Sequence, residues 1–325
     1  MFINSLIIGT LISISSYSWF SMWMGLEINL LSIIPLMLDK KNKFPSESAM
    51  KYFTIQSLAS MMMMLSMILM LTLHHLNFSN INNYLLNLAL LMKAGAAPLH
   101  FWLPEIIEGL NWINCLLMLT WQKIAPMILL IMNFKMSLLL NLFIIASVTI
   151  GSTMGFNQIS MRKIMTYSSI NHLGWMLSSI MMNQSIWMIY FLIYSITLIP
   201  LIYSFHTLNI FLLSQFFLSI KSQNSKIFMF SSFMSLGGLP PFLGFFPKWV
   251  TINMLINNQF YTTALILILF TLITLFFYMR LIFSTFTMTM NETMLKFQFS
   301  KKKIFFMNWL NYLGLPVLTL IFNYF

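Results

Sequence analysis

The sequence is poor in charge and has almost no cysteine. Only 7% of its 325 residues are charged, and a soluble domain of this length needs far more polar surface than that. The single cysteine, Cys115, excludes a disulfide within the chain and any iron–sulfur cluster held by cysteines. No G-x-G-x-x-G or P-loop pattern occurs to cradle a nucleotide, so the chain is expected to hold no redox site, metal or cofactor of its own. No Lys or Arg precedes Lys40. The N-terminus therefore lacks both the basic region of a signal peptide and the Arg-rich pattern of a transit peptide, and insertion without cleavage is expected.

What the chain does have is apolar surface. It is 59% hydrophobic with a mean hydropathy of +0.84, which predicts an integral membrane protein. The 31 methionines and 32 phenylalanines read as lipid-facing and core packing rather than a metal or cofactor site, and they fit an AT-rich coding sequence such as an organelle genome. Eleven apolar segments are long enough for helical spans, at roughly 20 residues each. They lie near 2–17, 18–38, 49–73, 83–103, 110–132, 137–155, 160–181, 186–213, 226–256, 260–285 and 304–323. The expected fold is an all-α polytopic membrane domain covering 1–325.

Charge tests the topology. If eleven spans alternate, the loops after spans two, six, eight and ten share a side with the N-terminus. These loops or their edges hold thirteen of the seventeen Lys and Arg residues, among them Lys40, Lys41, Arg162, Lys163, Lys221 and Lys301 to Lys303. The opposite side holds Lys135. This asymmetry predicts an N-terminus on the positive, inner side, and it accounts for the net charge of +11 as a topology signal. Nucleic-acid binding, which needs a basic face on a soluble module, is not expected.

The remaining lysines, Lys93, Lys123 and Lys248, fall at membrane depth together with Glu27. Each costs about 2.5–3.5 kcal/mol if it faces lipid, so each is expected to face the interior. Lys93 sits about ten residues, or about 15 Å, from either end of its segment, beyond the reach of a snorkelling side chain. One structural ion pair plus snorkelling lysines is the plain reading; a charge-transfer path is the other. Two of these lysines border interrupted helices. The segment K-A-G-A-A-P runs from Lys93 to Pro98, and G-G-L-P-P-F-L-G-F-F-P-K runs from Gly237 to Lys248. Irregular backbone at membrane depth persists only where it is buried in protein or lines a wet cavity. Each broken segment is fourth in a set of five, which suggests two inverted repeats, 1–133 and 137–287, plus a final helix at 304–323. Lys93 precedes its break, whereas Lys248 follows its own.

The stretches WMGLEINLLSIIPL, LLMKAGAAPLHFWLPEIIEGLNW, LMLTWQKIAPMILL, YSSINHLGWML and SLGGLPPFLGFFPKW resemble the mitochondrial NADH dehydrogenase (ubiquinone) subunit 2 family, antiporter-like membrane subunits of respiratory complex I. The resemblance runs from about residue 18 to 285. It implies a proton-translocating subunit of NADH:ubiquinone oxidoreductase in the mitochondrial inner membrane, with the N-terminus in the matrix. NADH, FMN, iron–sulfur clusters and ubiquinone would sit in partner subunits. Other membrane-arm and accessory subunits, and phospholipids such as cardiolipin, are the implied partners. Position by position, Glu27 is similar to the glutamate that pairs with a lysine on the first broken helix, Lys93. Lys123 looks like a connecting lysine, and Lys248 like the lysine of the second broken helix. His100 and His172 fall on bridging positions, where a buried histidine can equally be a hydrogen-bonding residue. A free-standing cation/proton antiporter and a scaffold with relic charges are the competing classes.

Overall fold

The computed structural model describes residues 1–38, 42–72, 79–133, 137–219 and 223–287. The predicted span 304–323 and the lysines at 40, 41, 135, 221, 296 and 301–303 lie outside these residues. Among the described residues the regular structure is helical, with no β-strand beyond a lone bridge between Ser160 and Leu212. Six helical stretches are long and apolar enough to cross a membrane by length and composition. Their outward positions carry large exposed apolar side chains such as Leu31, Met61, Leu71, Leu142, Leu272 and Phe276. Exposure of this kind suits hydrocarbon rather than water. The chain divides into two compact units, Met1–Phe143 and Ile144–Phe325.

In the first unit, α1 (Phe2–Ser15) lies against α2 (Trp19–Met37). Ser18 caps α2 by accepting the Ser21 N–H at 3.3 Å, which satisfies one of the orphan donors of the first turn. The two backbones come very close at Gly9 and Gly25. A Cβ on Gly25 would stand 2.6 Å from the Ser13 nitrogen and 2.8 Å from the Gly9 oxygen, so only glycine fits this small-residue crossing. Next comes α3 (Phe44–Thr72), with Pro45 in its first turn, where a missing N–H costs nothing.

The segment predicted at 83–103 is interrupted. The helix α4 (Ser79–Ala94) stops, residues 95–101 form an irregular connection, and α5 (Trp102–Gly109) follows. Gly95 adopts φ +77°. Its N–H reaches the Met92 carbonyl at 3.2 Å, and the Ala96 N–H reaches Leu91 at 3.1 Å. This is a Schellman termination, which needs a left-handed residue that glycine supplies without strain. The segment predicted at 110–132 is also divided, into α6 (Trp112–Leu119) and α7 (Trp121–Met132), by a break at Thr120. There Thr120 Oγ1 donates to the Leu116 carbonyl at 2.7 Å, a back-bond that bends helices. An amide clasp ties α7 to α4, with Asn133 Nδ2 donating to Asn87 Oδ1 at 2.9 Å.

The unit boundary falls within α8 (Ser137–Phe156). In the second unit α9 (Met161–Met182) is buried along nearly its whole length and packs on α10 (Gln184–Leu208). The latter ends earlier than the predicted 213, at Asn209 with φ 50°, and the short α11 (Leu213–Ser219) follows. The segment predicted at 226–256 is again two helices, α12 (Gln223–Gly237) and α13 (Phe245–Asn257), before α14 (Tyr261–Thr287). Gly238, at φ +77°, repeats the termination seen at Gly95: its N–H meets the Ser235 carbonyl at 3.1 Å, and the Leu239 N–H meets Met234 at 3.2 Å. Hydroxyls inside these helices turn back on their own chain. Ser168, Ser169, Ser178, Ser179, Ser231, Ser232 and Ser235 each donate to the carbonyl three residues earlier, at 2.7–3.0 Å.

Candidate functional site

Lys93 lies in the last turn of α4, one residue before the helix stops. Its side chain is 4% exposed, and its ammonium stands 3.9 Å from Glu27 Oε1 on α2. The two charges thus form an ion pair inside the first unit. Their separation is too long for a direct hydrogen bond, and Glu27 Oε1 makes none. The position also matters through the backbone. The end of an α-helix presents carbonyl oxygens and the negative end of its dipole, which favour a cation.

Lys248 arrives at the same kind of place by a different route. It belongs to the first turn of α13, yet its amine folds back over the break. There it donates to the carbonyls of Gly237 at 2.8 Å and Leu236 at 3.3 Å, the last residues of α12. The amine also lies 5.9 Å from the Trp175 ring centroid, within the range of a cation–π contact. Gly238 makes this fold-back possible, because a Cβ there would be 2.8 Å from Lys248 Cδ and 3.0 Å from its Nζ. The order of lysine and break, opposite in the two segments, is therefore resolved in space. Both lysines belong to the end of their first half-helix, Lys93 as a member of its last turn, facing Glu27, and Lys248 by folding back onto its carbonyls.

Lys123, 1% exposed, sits near the start of α7 just after the Thr120 break. His100 lies in the connection between α4 and α5, with Nδ1 3.2 Å from the Pro98 carbonyl and its ring 4.5 Å from that of Phe101. His172, in the middle of α9, has Nδ1 2.9 Å from the Tyr190 hydroxyl and its ring 4.9 Å from that of Tyr194. Tyr190 is a neighbour that sequence reasoning did not single out.

Beside Lys93 there is a further polar group that the sequence did not flag. Tyr52 on α3 donates to Gln122 Oε1 at 3.2 Å, Gln122 Nε2 on α7 donates to Asn29 Oδ1 on α2 at 3.3 Å, and Gln56 Nε2 approaches the Lys93 carbonyl at 3.5 Å. With Leu26, Leu30, Lys93 and Pro126, these side chains line a small cavity of about 10 Å³. Neutral amides and a phenol carry no charge to mark them in an apolar sequence; the only signal was the placement of Gln122 next to Lys123. Among the described residues, no group of three or more His, Cys, Asp or Glu side chains comes together to hold a metal ion.

Comparisons with known proteins bear on this arrangement. The family described as "NADH:quinone oxidoreductase/Mrp antiporter, TM" matches residues 16–276. NADH-ubiquinone oxidoreductase chain 2 of Locusta migratoria is 47% identical over 296 residues, covering 90% of this chain and 86% of the relative. Its namesake from Anopheles gambiae is 46% identical over 333 residues, covering 99% and 97%. A chain of respiratory complex I from Thermus thermophilus, solved with bound aureothin, superposes with a TM-score of 0.87 at 22% identity, covering 97% of this chain and 77% of that one.

Proposed function

The chain belongs to the NADH-ubiquinone oxidoreductase chain 2 family, and from that membership we propose that it is a proton-translocating, antiporter-like membrane subunit of respiratory complex I. It works in the mitochondrial inner membrane with its N-terminus in the matrix, beside other membrane-arm and accessory subunits and phospholipids such as cardiolipin. NADH, FMN, the iron–sulfur clusters and ubiquinone belong to partner subunits, so this chain contributes ionisable side chains only. The proposed architecture is eleven spans arranged as inverted repeats 1–133 and 137–287, with the eleventh, expected at 304–323, outside the described residues.

The observation that carries the reading is the buried Lys93 ammonium, 3.9 Å from Glu27 at the end of an interrupted helix. A charge so placed is costly unless it is paired, and intramembrane ionisable residues mark ion and proton paths. Lengthening or shortening the Glu27–Lys93 contact changes how strongly the carboxylate holds the ammonium. A redox event elsewhere that moves this pair would release or capture a proton, which passes by way of Lys123 toward Lys248. His100 and His172 serve as bridges where the side chains between the lysines are neutral. Moving one charge against 100 mV costs about 2.3 kcal/mol, a magnitude within reach of one partly buried ion pair.

The test is Lys93→Met in the intact complex, with assembly followed by native gel stained for NADH oxidation and proton translocation measured per NADH. Co-migration with a very large NADH-oxidising assembly and a lowered proton ratio is expected. An unchanged ratio in a fully assembled complex would overturn the relay. Migration alone, with sodium- or potassium-dependent proton exchange after reconstitution, would instead make the chain an independent antiporter.

A further inference from the structure

Arg280 is a charge that the proton relay does not use. It lies on α14, seven residues before that helix ends at Thr287, or about 10 Å along the axis from that end. One guanidinium N–H donates to the Phe156 carbonyl at 2.7 Å, and the group stacks 4.6 Å from the Phe156 ring centroid. Phe156 stacks in turn on Phe276 at 5.8 Å. Beside this stack is a cavity of about 450 Å³, walled by Ile159, Leu213 and Phe217 and edged by Arg280 and Gln158. We infer that this cavity binds one membrane phospholipid, whose single phosphodiester is held by Arg280 and whose acyl chains leave over the apolar wall. The inference rests on the membrane placement proposed above.

The bonding of Arg280 points to an anion. A guanidinium carries five N–H donors in a planar fork, and the Phe156 carbonyl takes one of them. The ion pairs among the described residues are Glu27–Lys93 and Lys51–Glu105, so neither carboxylate neutralises it. Carbonyl and ring thus fix the plane of the fork while its charge stays uncompensated, and such a fork suits a phosphate, which it grips through two parallel hydrogen bonds. Gln158 adds to the same edge. Its Nε2 donates to the Met154 carbonyl at 3.2 Å, which leaves the amide oxygen and a second N–H for a headgroup. Arg280 is the only cation among the described lining residues, so the site matches one phosphate rather than the two of cardiolipin.

The walls select a lipid over a soluble anion. Ile159 in the wall is exposed, as are Leu212 beside Leu213, Phe283 beside Ser284 and Phe276 on the Phe156 ring. Exposed apolar side chains so grouped suit hydrocarbon. The volume falls within the range of about 300–1,000 Å³ for small-ligand sites. It accommodates a phosphate headgroup with the start of its chains, which then continue over these side chains. If Arg280 only capped the carbonyl end of α8, it would use one donor of five and no part of the cavity.

The experiment takes the intact complex in dodecyl maltoside, stripped of loosely held lipid, and adds a trace of phosphatidylglycerol with a diazirine in its acyl chain. After irradiation the labelled peptides of this chain are mapped. Labels are expected on residues 156–159, 213–217 or 280–284. Arg280→Gln should lower them about tenfold, equivalent to about 1.4 kcal/mol, while labels near the exposed Leu31 and Met61 of the first unit stay unchanged. Leu213→Trp fills the cavity and leaves Arg280 and its carbonyl in place; it should lower them as much. A diazirine diacylglycerol, which has no phosphate, should label the site about tenfold less than phosphatidylglycerol, and a large excess of inorganic phosphate should not compete. Labelling that ignores both substitutions, or diacylglycerol that labels as well as phosphatidylglycerol, would overturn the site. Competition by inorganic phosphate would make it a soluble-anion site instead and overturn the lipid. A diazirine cardiolipin that labels about tenfold better would overturn the single phosphate. Should Arg280→Gln not assemble, Leu213→Trp and the diacylglycerol comparison decide by the same criteria. The functional reading fails separately: were the chain to migrate outside an NADH-oxidising assembly, the same labelling in that smaller particle would still decide the lipid site.

Discussion

Gly238 offers a way to move the Lys248 amine without touching the lysine. Gly238→Ala has two effects. The residue sits at φ +77°, where a Cβ costs about 1–2 kcal/mol, and the new carbon would lie 2.8 Å from Lys248 Cδ and 3.0 Å from its Nζ. The flexible lysine gives way and leaves the Gly237 and Leu236 carbonyls, with hydrogen bonds to a charged group worth about 1.5–3 kcal/mol each at stake. Gly95→Ala is the control. It carries the same backbone cost at φ +77°, but its Cβ meets the apolar Leu103 Cδ1 at 2.6 Å and Trp102 Cζ2 at 3.2 Å. Both variants should lower the amount of assembled complex. Per assembled complex, NADH-driven proton translocation should fall about tenfold or more in Gly238→Ala and stay within about twofold in Gly95→Ala, tenfold corresponding to about 1.4 kcal/mol. Gly238→Asn separates strain from displacement, because asparagine tolerates the left-handed region yet carries the same Cβ. It should assemble better than Gly238→Ala and pump no better. Normal pumping in Gly238→Asn would refute the claim that the seat of Lys248 on the α12 carbonyls matters.

Three further outcomes are expected. Gly25→Val drives a side chain into the backbone at Ser13 and Gly9, so α1 and α2 must part at a cost of about 1–3 kcal/mol or more, visible as less intact complex on a native gel. His172→Phe leaves the buried Tyr190 hydroxyl without its 2.9 Å partner and should destabilise by about 1–3 kcal/mol, while adding Tyr190→Phe should recover part of that loss in the thermal unfolding midpoint. Cys115 is wholly buried, with Sγ against the Ile107 and Leu110 carbonyls, so a maleimide should label it only after denaturation.

The parts of the site legible in the sequence were those that are expensive in a membrane. Lys93, Lys123, Lys248 and Glu27 stand out because charge is scarce, and the breaks at Gly95 and Gly238 stand out because glycine and proline cluster there. The break at Thr120 was not legible, since a threonine back-bond inside LMLTWQK leaves no Gly or Pro at the bend. Nor does the sequence reveal that Lys248 reaches backward. Its position after the break suggests a difference from Lys93, and only the path of its side chain over Gly238 shows that its amine returns to the end of the half-helix before the break. Gln122, Tyr52 and Asn29 come from three different helices, and no periodicity within one segment can report their meeting.

The self-directed serines have a consequence for how such a chain is made. A helix whose hydroxyls already bond to its own carbonyls, as in α9 and α12, can leave the translocation machinery without a neighbour to satisfy those hydroxyls. Asn87 and Asn133 are different, because the 2.9 Å bond between them exists only once α4 and α7 are side by side. Hydroxyls therefore place no demand on a neighbouring span, whereas the amides record which spans must find one another afterwards.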